Sequence, residues 1–438
     1  MNIEQIREYL IDFQKKELPI MIERELKIDT SKKIKSLIGP RRAGKTTFMY
    51  QKMHELIKAG VKKENIIYLN FEDTRLIEIN FKEIREIIKI HWQIFPESTK
   101  KEIHVFIDEP QNIEYWENAV RSLHDDGFDI YLTGSSSKLL SREIATSLRG
   151  RTLSYLLLPF SFNEFLKMKK YKDNINLLDS KEKSILLSLL EEYLEFGGFP
   201  EIILEQDKEK KLKIINEYFS LIVYRDIIER YKLKNTLLVK WIIKALSSSF
   251  SNEFSVNKLF LTLKSQGFRV SKNTLYSYVS ILEDSLFSFM HPKFNYAIRN
   301  KKFSINKAYL CDTAFVKLVE NSRDIGRKME NMVFLQLERR KGSLTTISYW
   351  KNTQGEEVDF VIKEGVNIKQ LIQVSYNISD SETKKREIRS LLRASKELKC
   401  NNLIVITWDY EKIEEISWFG IKRKVHFVPV WKWLLKTT

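Results

Sequence analysis

Gly39-Pro40-Arg41-Arg42-Ala43-Gly44-Lys45-Thr46-Thr47 is the stretch that decides the fold. Residues 39–46 match G-x-x-x-x-G-K-[ST] at every fixed position. Glycines let the backbone curl until its N–H groups converge on a phosphate. The apolar run Ile34–Ile38 before the motif reads as a strand, and a helical pattern after it reaches about Ala59, where Gly60 closes it. A helix beginning at the loop turns its free N–H groups and its dipole toward an anion. Lys45 supplies a charge for the β- and γ-phosphates, and the Thr46 hydroxyl a ligand for Mg²⁺. ATP and Mg²⁺ are therefore the expected cofactors, held by residues 39–47.

Outward from this loop, further apolar strands read at Asn65–Phe71, Ile103–Ile107, Asp129–Thr133 and Leu153–Leu158, with helical stretches at 75–99 and 115–125 between them. Residues 1–30 read as an amphipathic helix leading in. Strands alternating with helices give an α/β class, a parallel sheet covered on both faces. Ile103–Ile107 delivers Asp108 and Glu109 to the end of the sheet where ligands bind. Asp108 is suited to hold Mg²⁺. Glu109 is suited to deprotonate the attacking water. The fourth strand ends in Thr133-Gly134-Ser135-Ser136, where a hydroxyl is expected to bridge phosphate and water, with Ser135 and Ser136 the candidates. Arg149 and Arg151 are candidates for an arginine that stabilises transition-state charge, from the same chain or a neighbouring one.

Together with Leu158-Pro159-Phe160-Ser161-Phe162-Asn163-Glu164-Phe165, these motifs resemble a prokaryotic family of AAA-superfamily ATPases over nearly the whole chain. The resemblance implies a strand inserted between the two motif-bearing strands, Glu109 as catalytic base, and a C-terminal domain of uncharacterised function distantly similar to Holliday-junction-type nucleases. One departure is Pro110, where an aliphatic residue is expected after the acid pair.

From Ser161 the pattern turns helical, and Gly197-Gly198-Phe199-Pro200 reads as a turn or hinge. Between Phe254 and Leu310 nine Lys/Arg face two acids, a net of +7. Helix 255–265, a Gly267 turn and helix 271–283, with Ser271 as N-cap, look like a winged helix. Leu275, Tyr278, Val279 and Leu282 share its inner face, leaving Lys272 and Asn273 placed for base edges. Arg299, Lys301 and Lys302 are placed for phosphates on the wing. Protein packing is the plain alternative for such a module.

After about Gly326 a second α/β pattern appears, resembling a restriction-endonuclease-like core. The helix Glu330 and strand Asp359 match its acids, whereas Gln373 and Ser375 stand where an acid and a lysine are expected. Losing a hard oxygen ligand weakens Mg²⁺ binding. A disabled centre is therefore expected, with Lys363 or Lys369 the only substitutes in view.

The length of 438 residues divides as ATPase core 1–160, helical segment 161–249, winged-helix module 250–325 and nuclease-like domain 326–438. A net charge of +16 points to an anionic partner, DNA above all, although a lysine-rich composition alone also produces it. Two cysteines exclude a disulfide scaffold, and the absence of a long apolar run or signal core gives a cytoplasmic expectation. Three functions stay open: a DNA-associated ATPase, an ATP-gated switch binding a protein partner, and an ATP-dependent nuclease, each compatible with a homo-oligomer.

Overall fold

The computed structural model describes residues 2–76, 78–98, 103–134, 148, 150–171, 179–295, 305–318, 324–378, 380–418 and 420–436. The chain divides into two compact units, Met1–Pro159 with Asp284–Leu286, and Phe160–Glu283 with Phe287–Thr438.

In the first unit Asn2 caps α1 (Ile3–Lys15), accepting from Glu4 and Gln5 N–H, and the helix buries Ile6, Tyr9, Leu10 and Phe13. It is half the expected length. Residues 17–30 hold no helix, and Pro19 steers Leu18 out of helical geometry. The loop follows β1 (Ile34–Ile38) and opens α2 (Lys45–Lys58). Then come β2 (Ile66–Asn70), α3 (Ile84–Ile94), β3 (His104–Asp108), α4 (Trp116–Asp125), β4 (Asp129–Gly134) and β5 (Thr152–Leu156). The helix expected over 75–99 shrinks to α3 because Asn80 builds a turn first, accepting from Lys82 N–H while Glu83 accepts from Asn80 N–H.

The five strands are parallel in the order β2-β3-β4-β1-β5. β4 therefore lies between the phosphate-loop strand and the acidic strand. The strands read as continuous apolar runs because both faces are covered. Phe13, Met49 and Met53 pack with Ile66, Tyr68 and Phe106. Gly39, Asp108 and Gly134 follow or end neighbouring strands, so the chemistry gathers at one edge of the sheet.

The second unit begins with α5 (Phe162–Met168), whose N-terminus carries a Ser161/Glu164 capping box. α6 (Ser180–Phe196), α7 (Pro200–Leu204), α8 (Lys208–Leu221, continued by a π-helical turn to Glu229) and α9 (Thr236–Ser248) follow. Gly197-Gly198 forms a turn packed against Phe160. Gly197 has φ 75°, Gly198 accepts from Phe160 N–H at 2.8 Å, and a Cβ on Gly198 would lie 2.3 Å from the Phe160 carbonyl oxygen.

β6 (Asn252–Phe254), α10 (Val256–Ser265), α11 (Lys272–Asp284), β7 (Ser288–His291) and β8 (Asn306–Leu310) come next, with an antiparallel sheet ordered β6-β8-β7. Phe199, Ile242, Leu246, Leu263, Leu275 and Phe315 belong to one buried cluster, so α7 to β8 share a core. The last part is α12 (Ile325–Arg340), β9 (Thr345–Lys351), β10 (Glu357–Glu364), β11 (Asn367–Ser375), α13 (Ser381–Glu397), β12 (Leu403–Thr407), β13 (Lys412–Trp418), β14 (Ile421–Pro429) and α14 (Val430–Leu435). Its mixed sheet runs β13-β14-β12-β11-β10-β9, parallel only through β11, β12 and β14. Among the described residues no helix is long and apolar enough to cross a membrane.

Candidate nucleotide site

The loop is held open for an anion by three backbone features. Gly44, at φ 91°, caps α2 from left-handed space. Arg42 shares that region at φ 66°. Gly39 has no room for a side chain, since a Cβ would stand 2.0 Å from the Leu157 carbonyl oxygen. The Lys45 ammonium lies inside the loop, donating to the carbonyls of Gly39 at 3.1 Å and Pro40 at 3.2 Å. Arg24, which the sequence reading passed over, braces the loop from below. Its guanidinium donates to the Ala43 carbonyl at 2.9 Å and the Leu158 carbonyl at 2.6 Å.

The two motif halves meet at Asp108. Thr46 Oγ1 donates to Asp108 Oδ2 at 2.7 Å, and Tyr68 Oη donates to the same oxygen at 3.0 Å. Thr133 Oγ1 donates to Asp108 Oδ1 and accepts from Glu109 N–H at 3.2 Å. Burial raises the Asp108 carboxyl above its ordinary value, against the Thr133 and Thr46 hydroxyls that favour its charge. A buried carboxylate with a threonine hydroxyl beside it is a hard oxygen pair, which suits Mg²⁺. Glu109 adopts φ 51°, lies 3.8 Å from the Lys45 ammonium and accepts from the Gln111 amide. Pro110 is buried in the short 3₁₀ turn after it, so the departure from the aliphatic pattern leaves the acid pair in place.

Thr133, two residues before Ser135, is the hydroxyl that links the Asp108 carboxylate to the Glu109 backbone. Ser135, Ser136 and Arg149 lie outside the described residues. Arg151 does not face its own loop. Its carbonyl accepts from Ile34 N–H at 2.9 Å, which sets it at the start of β1, a strand length of roughly 15 Å from the end that carries the phosphate loop. Its guanidinium pairs with Asp125 at 3.0 Å. In this arrangement the Arg151 guanidinium is engaged with Asp125 and not with its own phosphate loop.

In the second unit α11 keeps Leu275, Val279 and Leu282 buried and leaves Lys272 and Asn273 exposed. Ser271 caps it, accepting from Thr274 N–H at 3.1 Å. Lys258, Lys264 and Arg269 are also exposed. Arg299, Lys301 and Lys302 lie outside the described residues.

Glu330, Asp359 and Gln373 come together, but around a residue the sequence counted as surface charge. Lys307 of β8 donates to Glu330 at 2.9 Å and to Asp359 at 3.0 Å, and pairs with Glu357 at 2.5 Å. Tyr309 Oη adds a bond to Glu330 at 2.6 Å. A register shift in β10 between Val358 and Val361 accompanies Asp359. Val374 N–H donates to Asp359 at 2.9 Å, while Gln373 accepts from Asp359 N–H and donates to Glu387 at 2.6 Å. Ser375 takes no part in these bonds. Lys369 pairs with Glu364 at the surface, and the ammonium among these carboxylates is that of Lys307. Burial works against the Lys307 charge, yet Glu330 and Asp359 hold it well above the ordinary lysine value. Burial and Asp359 push Glu330 up to about 8. Among the described residues no group of three or more candidate ligands is arranged to hold a metal ion.

Strand order, phosphate loop and acid pair define a P-loop domain of the AAA type. In agreement, residues 31–166 match the AAA domain. Residues 187–324 match a domain of unknown function (DUF8612) and residues 325–430 another (DUF4143). An uncharacterized protein of Methanocaldococcus jannaschii is 39% identical over 419 residues, 95% of this chain and 91% of that protein. An uncharacterized protein of Haemophilus influenzae is 31% identical over 414 residues, 92% of this chain and 94% of that one. The chain belongs to the family of these two proteins, an AAA domain followed by two domains of unknown function. Among solved structures, Cdc6p from Pyrobaculum aerophilum is similar at a TM-score of 0.25 and 13% identity, covering 62% of this chain and 82% of that one. A chain of the Drosophila ORC complex with Cdc6 and AT-rich DNA is similar at 0.20 and 10%, covering 72% and 91%. Likenesses that loose carry no argument, and the AAA assignment stands on the strand order and the family match.

Proposed function

We propose that the chain is a Mg²⁺-dependent ATPase, cytoplasmic and DNA-associated, whose C-terminal domain is nuclease-like and does not cut. The 2.7 Å bond between Thr46 and Asp108 carries the ATPase reading, because it joins the phosphate loop to the acidic strand. Mg²⁺ held by this pair would offset phosphate charge. Lys45 binds the β- and γ-phosphates, Glu109 takes the proton of the attacking water, and Thr133 fixes the two acids relative to each other. Hydrolysis of labelled ATP by the full chain, compared with Glu109→Gln, tests this. A fall of about 100-fold with nucleotide binding retained is expected. Undiminished turnover would remove Glu109 from the role of base.

The DNA reading is supported by the exposed Lys272 and Asn273 at the start of α11 and by the α10–turn–α11 arrangement against the β6-β8-β7 sheet, the order of a winged helix. A nuclease-like fold is supported by Glu330 on a helix beside Asp359 on a bent strand. Its inactivity is supported by the Lys307 ammonium sitting among the carboxylates that a divalent cation would need. Arg151 serves a γ-phosphate from a neighbouring copy, which makes a homo-oligomer part of this reading.

A further inference from the structure

A cleft of about 380 Å³ opens in the second unit between β7, the segment after it, α12 and the edge of β9 and β10. It lies where residues of the two domains of unknown function meet, a common place for a small-molecule site. His291 lines it, is 2% exposed, and its Nε2 has no hydrogen-bond partner among the described residues. A buried polar atom left unpaired is costly and calls for a partner. The rings of Tyr309, Phe334 and Phe360 hold the imidazole at centroid distances of 5.5, 5.4 and 5.6 Å. Burial and the Lys307 charge push it down to about 3, against backbone hydrogen bonds with Asp359 and Ser348, so it is neutral at physiological pH.

Charge in the cleft is lopsided. Of its acids, Glu338 pairs with Lys341 at 3.3 Å, and Glu283 accepts from Met290 N–H at 3.0 Å. Lys293 and Lys363, which also line it, have no carboxylate partner among the described residues. Phe289 and Phe294 supply half-buried aromatic faces. Two ammonium groups and two aromatic faces lining one cleft suit an anion carried on a flat ring system.

We propose that this cleft binds a nucleoside monophosphate, with its phosphate at Lys293 and Lys363, its base against Phe289 and Phe294, and the buried His291 imidazole in its wall. This site is separate from the phosphate loop, so its success or failure is independent of the ATPase reading.

The test uses the full chain carrying Lys45→Ala, which removes high-affinity binding at the phosphate loop. Equilibrium dialysis against labelled AMP, then labelled GMP, should show one saturable equivalent per chain for at least one of them, displaced by excess inorganic phosphate. Adding Lys293→Ala or Lys363→Ala should weaken binding at least tenfold with unchanged thermal unfolding. His291→Asn is a less secure variant because the site is packed, which is why the two lysines carry the test. Absence of saturable binding of both nucleotides, or binding unaltered in both lysine variants, overturns the proposal.

Discussion

Thr133 and Lys307 show how much one side chain can decide. Thr133 bonds to both acids of the site, so Thr133→Val keeps the volume and removes both bonds. Turnover should fall by about 10- to 100-fold with nucleotide affinity little changed, as for groups that orient a metal-binding carboxylate. Steady-state kinetics beside an ATP-binding titration would check it, and equal loss of binding and turnover would count against it. Lys307→Met leaves Glu330 and Asp359 buried without their cation, while Glu357 keeps Lys351. Unfolding free energy should drop by about 3–5 kcal/mol in a urea titration. The phosphate loop and Asp108-Glu109 were legible in sequence because a fixed spacing with strand before and helix after leaves few alternatives. Thr133 stood in the segment read as bridging, but the choice fell on Ser135 and Ser136, because sequence does not show which hydroxyl of a strand end reaches the acid. Lys307 was miscounted because sequence gives charge but not burial: at 2% exposure it belongs to the interior, and the basic module presents one positive charge fewer than its count suggests.

At the scale of elements, the joint between α6 and α7 rests on Asp312. Its carboxylate accepts from Gly198 N–H at 2.9 Å and Ala314 N–H at 2.8 Å. Burial pushes it up to about 6 despite those two bonds. The folded chain therefore keeps this proton between about pH 4 and 6, where the unfolded chain has lost it. Stability contributed by the group falls across that window, by on the order of 3 kcal/mol, and is level above it. Denaturant midpoints at pH 4, 5, 6 and 7 should show this fall in the wild type and not in Asp312→Asn, which should be less stable throughout. Parallel slopes for the two proteins would exclude Asp312 as the cause. The Gly-Gly pair read as a breaker in sequence, correctly, but whether a break bends or locks depends on what packs there, and Asp312 lies more than a hundred residues away.

Across the whole molecule, the sequence revealed an α/β start and an α/β end, because long buried strands announce themselves. It left β13, β14 and α14 unread, since β13 and the start of β14 carry charges like solvated chain and α14 is only six residues long. The proposed DNA contact is a question at this scale, and it turns on the exposed cations of α10 and α11. If they meet DNA phosphates, affinity for duplex should fall with log salt at a slope near −0.9 for each contact, and Lys272→Ala should lessen that slope by about 1. Fluorescence anisotropy between 50 and 200 mM salt would measure it. Binding that ignores salt would favour a protein partner for this face.

Arg24 also bears on how the chain is divided for experiments. The AAA match begins at residue 31, and a fragment cut there keeps every motif residue. It would nonetheless lack the guanidinium that ties Ala43 to Leu158, and with it all of α1. Such a fragment should express as a nucleotide-binding sequence with a slack loop, weak for ATP and prone to aggregate through the exposed faces of Tyr68 and Met53. Poorer ATP binding by the fragment from residue 31 than by one from residue 1, measured by titration, would set the functional border upstream of residue 31.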